Sequence, residues 1–231
     1  MTPPIVVSAG LSCQTAHQLG RLDAAGAVRQ VKGPFDWMIA PPARLAGWVS
    51  AGLPDFAPGA IVADGRPDGS IRPYWPEFGI WFWHGFLDGP KGARRVAIEA
   101  TFERELSKLD HQRARLIALD PADALFVVSN AQTNLDGAVF STGEGFADHG
   151  LMRLDAEGVL TLRDALSAWL GGRVRMAVVG RADRTADSLA RVSREGMSVH
   201  MVGADASEWK GDDAAWDSVA ESWTDIHFPF R

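Results

Sequence analysis

One cysteine, Cys13, and one tyrosine, Tyr74, occur in 231 residues. A lone thiol closes no internal disulfide and supplies no cysteine-rich zinc site. The net charge is −6, and no run of Lys and Arg is interleaved with aromatics. Nucleic acid is not an expected partner, because phosphate binding needs positive charge gathered on one face. No apolar stretch approaches the roughly 18 residues that span a bilayer, so no membrane partner is expected either. The start, Met1-Thr2-Pro3-Pro4, lacks a basic segment followed by a long apolar one, so no signal peptide is expected. A free thiol without a leader points to a reducing cytoplasm.

Several motifs are missing too. No GxGxxG or GxxxxGK[ST] follows a strand-like run, so no nucleotide cofactor is expected. There is no HExxH and no His/Asp cluster at metal-ligand spacing, so no metal is expected. No GxSxG elbow is present. The Asp-Gly pairs, such as Asp64-Gly65 and Asp136-Gly137, are turn signals that do not continue into a calcium loop. Oligomeric state has no signature.

What is present is a globular pattern, 46% apolar and 23% charged, long enough for one domain over residues 1–231. Ile5 to Val7 is a β-branched run, and Gln14 to Leu22 reads as a helix with Ser12 as its natural N-cap. A second helix opens at Pro41-Pro42, with Leu45, Trp48 and Val49 at helical spacing. Residues 96–118 carry Ile98, Phe102, Leu106, Leu109 and Leu116 on one helical face. Asp123 to Val128 reads as a buried parallel strand, and Val174 to Val179 and Met197 to Val202 read as further strands. Helices are expected at Leu162 to Leu170, Thr185 to Val192 and Ala214 to Trp223. Strands alternating with helices predict an α/β fold, a mostly parallel sheet flanked by helices in three layers. Residues 53–91 hold no long period and are dense in Gly, Pro and aromatics. They are expected to form a long aromatic-rich loop insertion, with short antiparallel strands around Ile80 to Phe82.

Cys13 is the first candidate for chemistry. It follows the first strand and a tight turn, and opens a helix whose positive end favours a thiolate and whose free N–H groups suit an oxyanion. In open α/β sheets ligands sit outside the carboxyl ends of strands, where this turn falls. The alternative is a small buried packing residue. A thiol nucleophile needs a base. His84, in Trp81-Phe82-Trp83-His84-Gly85-Phe86, is the better candidate; His17, one helical turn from Cys13, and His227 are the others. Asn130 ends a buried strand and should reach the same sheet edge, either as an orienting or oxyanion group or as a cap. Asp36, flanked by Phe35 and Trp37, is expected as a partly buried, hydrogen-bonded carboxylate.

These residues resemble a family. Val6-Val7-Ser8-Ala9-Gly10-Leu11-Ser12-Cys13-Gln14 with Gln18-Leu19, then Pro34-Phe35-Asp36-Trp37-Met38-Ile39, is similar to a bacterial domain of unknown function described as papain-like cysteine peptidases. Phe82-Trp83-His84 matches its Phe-x-His motif, and the likeness runs over about residues 5–130, with Trp209-x-Gly211-x-Asp213-x-x-Trp216 as a later echo. Gly85 stands where relatives tend to carry an acid. The resemblance implies Cys13 as nucleophile and His84 as base, with Asn130 or Asp36 as third member. A nucleophile after the first strand, an Asn after a later one and Asp225-Ile226-His227 are also similar to the layout of SGNH-type hydrolases, whose nucleophile is serine and whose final Asp and His are spaced differently.

The expected function is a thiol hydrolase or acyl-transferase on a peptide or small-molecule substrate, lined by Ser12, Gln14, Asp36, Trp37 and Trp83. The alternative is a non-catalytic small-ligand or carbohydrate-binding domain with an aromatic cleft from Tyr74 to Phe86 and a structural Cys13.

Overall fold

The computed structural model describes residues 2–65, 70–133, 154–181, 185, 189–203 and 209–224. In chain order they form β1 (Ile5–Ser8), α1 (Cys13–Ala24), β2 (Arg29–Gln30), β3 (Met38–Ile39), α2 (Pro42–Ser50), β4 (Val62–Gly65), β5 (Ile71–Trp75) and β6 (Ile80–Phe82). There follow β7 (Leu87–Asp88), β8 (Arg95–Val96), α3 (Ile98–Ile117), β9 (Ala124–Ser129), α4 (Ala156–Leu170), β10 (Arg175–Arg181), α5 (Leu189–Arg194), β11 (Ser198–Val202) and α6 (Asp213–Thr224).

The apolar runs become one five-stranded sheet in the order β11-β10-β9-β1-β2, with every pair parallel. Counted along the chain this is 2-1-3-4-5, a strand order whose direction reverses between β1 and β9. Side chains alternate across a strand, and the core divides accordingly. Val6, Leu125, Val127, Ala177 and Val179 pack with Leu19 and Leu22 of α1 and with Trp216, Val219 and Trp223 of α6. Their neighbours Val7, Phe126, Val128, Met176 and Val178 join a larger cluster that includes Leu45 and Trp48 of α2, Leu109 and Leu116 of α3, and Val159 and Leu166 of α4.

Residues 53–91 depart from the expectation of a long loop. The described part builds a second, antiparallel sheet, β3-β6-β5-β4, with Met38 opposite Phe82 and Tyr74 opposite Trp81, followed by the β7–β8 hairpin. Expected strand residues Ile80 to Phe82 are β6. Most of the aromatics are core and not an open wall. Trp48, Trp75 and Trp81 are buried, and Phe56 meets Trp75, Phe82, Phe86 and Phe102 edge-on at 5.3 to 6.0 Å. The cleft expected from Tyr74 to Phe86 is thereby reduced to partly exposed residues such as Tyr74, Phe78 and Trp83.

Helix α4 begins six residues before the expected Leu162, because Asp155 caps it by accepting from the Gly158 N–H at 2.7 Å. Among the described residues, no helix is long and apolar enough to cross a membrane.

Candidate functional site

The carboxyl ends of β1 and β9 face the crevice where the strand order reverses, and each end is built in the same way. Ser8 closes β1 and its Oγ accepts the Gly10 N–H at 3.3 Å. Ser129 closes β9 and its Oγ accepts the Ala131 N–H at 3.1 Å. Each hydroxyl turns the chain sharply while satisfying a buried donor. After β1 the backbone takes two left-handed residues in succession, Gly10 (φ 79°) and Leu11 (φ 73°). A Cβ on Gly10 would lie 2.5 Å from Leu45 Cδ1, so a side chain there must displace Leu45 as well as adopt a left-handed backbone. Leu11 then bridges antiparallel to Ala40, which docks the loop beside β3 and so beside the second sheet.

Helix α1 starts on this turn, with Cys13 as its first residue. Ser12 is the N-cap in position but makes no capping bond, contrary to the sequence expectation. The cap comes from 118 residues away: Gln132 Oε1 accepts the Gln14 N–H at 3.0 Å. Gln132 is thus a site residue that the sequence reading missed. Its only signal was a second polar residue beyond a strand that ends in Ser129-Asn130. Asn130 is where expected, fully buried at the end of β9, and its Oδ1 accepts the Arg181 N–H at 2.9 Å, which ties β9 to the end of β10. Arg181 itself is a buried arginine, also missed.

Cys13 is a free thiol, 1% exposed. Burial raises its pKa well above the usual thiol value, against smaller lowering effects from its own backbone N–H and from Arg72. The helix start was expected to favour a thiolate; burial outweighs it, and the resting thiol is neutral. Two atoms flanking it are buried without a hydrogen-bond partner among the described residues, Ser12 Oγ and Gln14 Oε1. The other end of the Gln14 amide donates to the Trp209 carbonyl at 3.0 Å. One turn on, Gln18 Nε2 donates to the Lys210 carbonyl at 2.7 Å and to Asp213 at 2.9 Å. The late Trp209-x-Gly211-x-Asp213 echo is therefore strapped to α1. His17 lies in the same strap, its ring 5.0 Å from that of Trp209.

His84 follows β6. Its ring meets Trp37 edge-on at 5.0 Å. Partial desolvation, then the positive charges of Arg72, Lys108 and Arg94, hold its pKa below the ordinary histidine value, so it is neutral at pH 7. No hydrogen bond joins it to Cys13 among the described residues. The two do share one charge: Arg72 of β5, whose guanidinium lies 4.5 Å from the Trp83 ring centroid, acts on both. Nothing in the sequence around Arg72 signalled this.

Asp36 is buried, as expected, and its Oδ1 has no hydrogen-bond partner among the described residues. Burial pushes its pKa up to about 7, opposed by the Gly33 backbone and by Lys32, Lys108 and Arg115. It lines a cavity of about 30 Å³ with Trp37, Gly85, Phe86, Glu105 and Lys108; neither Cys13 nor His84 lines it. Trp37 takes a left-handed backbone, φ 65°. His227 and Asp225 lie outside the described residues, as does most of the polar stretch 131–158. Among the described residues, no group of three or more His, Cys, Asp or Glu is placed to hold a metal.

The fold and this site define a class, an α/β domain with its buried polar residues gathered at the reversal point of a parallel sheet. Comparison of the chain with protein-family models, with curated proteins and with solved structures finds no match.

Proposed function

We propose that the chain is a thiol hydrolase or acyl-transferase acting on a peptide or amide bond, with Cys13 as nucleophile and His84 as general base. The observation that carries this reading is the position of Cys13. It opens α1 at the reversal point of the sheet, between two buried polar atoms without partners, Ser12 Oγ and Gln14 Oε1. A neutral thiol and a neutral imidazole are the ground state of a general-base pair and not of a preformed ion pair. In the reaction, the proton leaves Sγ for the His84 ring as Sγ bonds to the carbonyl carbon. The oxyanion is held by N–H groups at the start of α1, with the Asn130 amide beside them. Collapse breaks the C–N bond, the amine takes the proton from His84, and water or an acceptor amine releases the acyl group. The reading takes the parallel sheet as the middle of three layers, the compartment as the cytoplasm and the lineage as the papain-like domain that the N-terminal blocks resemble.

The burial of Cys13 favours a second reading, a non-catalytic small-ligand domain that uses the same crevice. Iodoacetamide alkylation of the lone thiol separates the two. The hydrolase reading expects native-state alkylation at pH 7.5 that slows at least about a hundredfold in His84→Ala, the low end of general-base contributions. A thiol inert until urea unfolds the chain, in both proteins, sinks that reading and leaves the binding domain.

A further inference from the structure

We propose that the Asp36 cavity is a proton-linked device: loss of the Asp36 proton repositions the turn that carries Trp37, and with it the ring against which His84 is set. The inference goes beyond the catalytic reading and holds whether or not Cys13 is a nucleophile.

The argument starts from an unmet need. Asp36 Oδ1 is buried without a partner, which is tolerable for a neutral carboxyl and costly for a carboxylate. The Gly33 backbone already favours the charged form, and the carboxylate's further candidate partners line the same cavity and come from α3. Lys108 is now paired with Glu105 Oε2 at 3.5 Å, and Gln112 lies one turn beyond. Other walls are apolar, from Phe56, Phe82, Phe86 and Leu109. The space, about 30 Å³, is enough to admit water. An ionised Asp36 therefore competes with Glu105 for Lys108, or draws water into an aromatic pocket. Either change acts on the Pro34–Trp37 turn, where the chain already holds a bulky residue at φ 65°. A conformation held against its local preference is one that a change of charge can release. The next link is direct, because the Trp37 ring touches His84 edge-on at 5.0 Å.

The charged groups acting on Asp36 are Lys108 and Arg115 of α3 and Lys32 of its own segment, with Glu105 beside Lys108 in the cavity wall. Those acting on His84 are Arg72 of β5, Lys108 again, and Arg94 ahead of β8. Below neutrality Asp36 is protonated and the turn is at rest. As pH rises through about 7 the carboxylate forms and His84 is reset. The device thus reads pH across the physiological range, on the side where the imidazole is already neutral.

The test follows the imidazole Cε1–Hε1 signals by ¹H–¹³C NMR from pH 5 to 9, with the His84 signal assigned by its loss in His84→Gln. The wild type is expected to show two inflections at His84, its own below the ordinary histidine value and a second near pH 7. Asp36→Asn is expected to lose the second and keep the first. Lys108→Met, which leaves the carboxyl in place, is expected to move the second to higher pH. A single inflection in the wild type overturns the proposal. So does a second inflection that survives in Asp36→Asn or stays fixed in Lys108→Met.

Discussion

Replacing Asp36 with asparagine should make the protein less sensitive to rising pH. In the folded chain Asp36 keeps its proton to about pH 7, whereas its ordinary value is 3.8. Between those limits the folded state binds the extra proton, so stability falls as pH rises, by about 1.4 kcal/mol per pH unit, and levels off above pH 7. The whole effect is on the order of 4 kcal/mol, since the shift spans about three units. Asparagine carries no such proton. Its fixed cost or gain as an amide in the same cavity is independent of pH and cancels when two pH values are compared. From pH 5 to pH 8 the stability of Asp36→Asn relative to wild type should rise by roughly 3 kcal/mol. Urea unfolding at both pH values measures it. With a slope near 3 kcal/mol per M, the gap between the two midpoints should widen by about 1 M. A gap that stays constant with pH would refute the reasoning. It would mean that the carboxyl finds water or Lys108 in the folded state and titrates as an ordinary aspartate.

Two further substitutions test how the site is built. Gln132→Leu removes the acceptor for the Gln14 N–H and leaves a buried donor at the start of α1, for an expected loss of about 1–3 kcal/mol by urea unfolding; no loss would mean that water caps the helix equally well. Gly10→Ala and Gly26→Ala share a left-handed backbone, but only the first meets a neighbour, Leu45 Cδ1 at 2.5 Å. Gly26→Ala should cost about 1–2 kcal/mol from backbone alone, and Gly10→Ala a further 1–3 kcal/mol or so from overpacking. Equal losses would show that the Gly10 turn moves freely away from α2.

The parallel sheet was legible in the sequence because its central strands β1, β9 and β10 are almost wholly buried. Val6-Val7 and Leu125 to Val128 are continuous apolar runs, and burial of every residue in β9 is what such a run predicts. The antiparallel sheet was hidden for the opposite reason. Its strands are two to five residues long and include Ile71-Arg72-Pro73-Tyr74-Trp75, where proline and arginine break any period. Cross-strand pairing and ring contacts supply its order instead, as between Tyr74 and Trp81, stacked at 4.5 Å. Strand β2 escaped notice because Arg29-Gln30 carries no apolar signal and is defined only by pairing with Ile5 and Val6.

At the site, positions were legible and electrostatic states were not. A strand–turn–helix pattern is local, and it places Cys13 correctly at the first turn of α1. The thiol's ionisation depends on what covers it, and that cover is long-range. Leu11 bridges to Ala40, and β3 is docked on β6, so a helix start that would lower a thiol pKa in isolation lies in the core. The same distinction bears on which polar residues matter. Buried parallel strands must end in groups that satisfy turning backbone, so a collection of Ser, Asn and Gln at those ends is required by folding alone. Ser8, Ser129, Asn130 and Gln132 each accept a backbone N–H and are explained that way. Ser12 Oγ and Gln14 Oε1 are not, because no hydrogen bond reaches them among the described residues. They flank Cys13, and a group that folding leaves unsatisfied is where a ligand has most to offer.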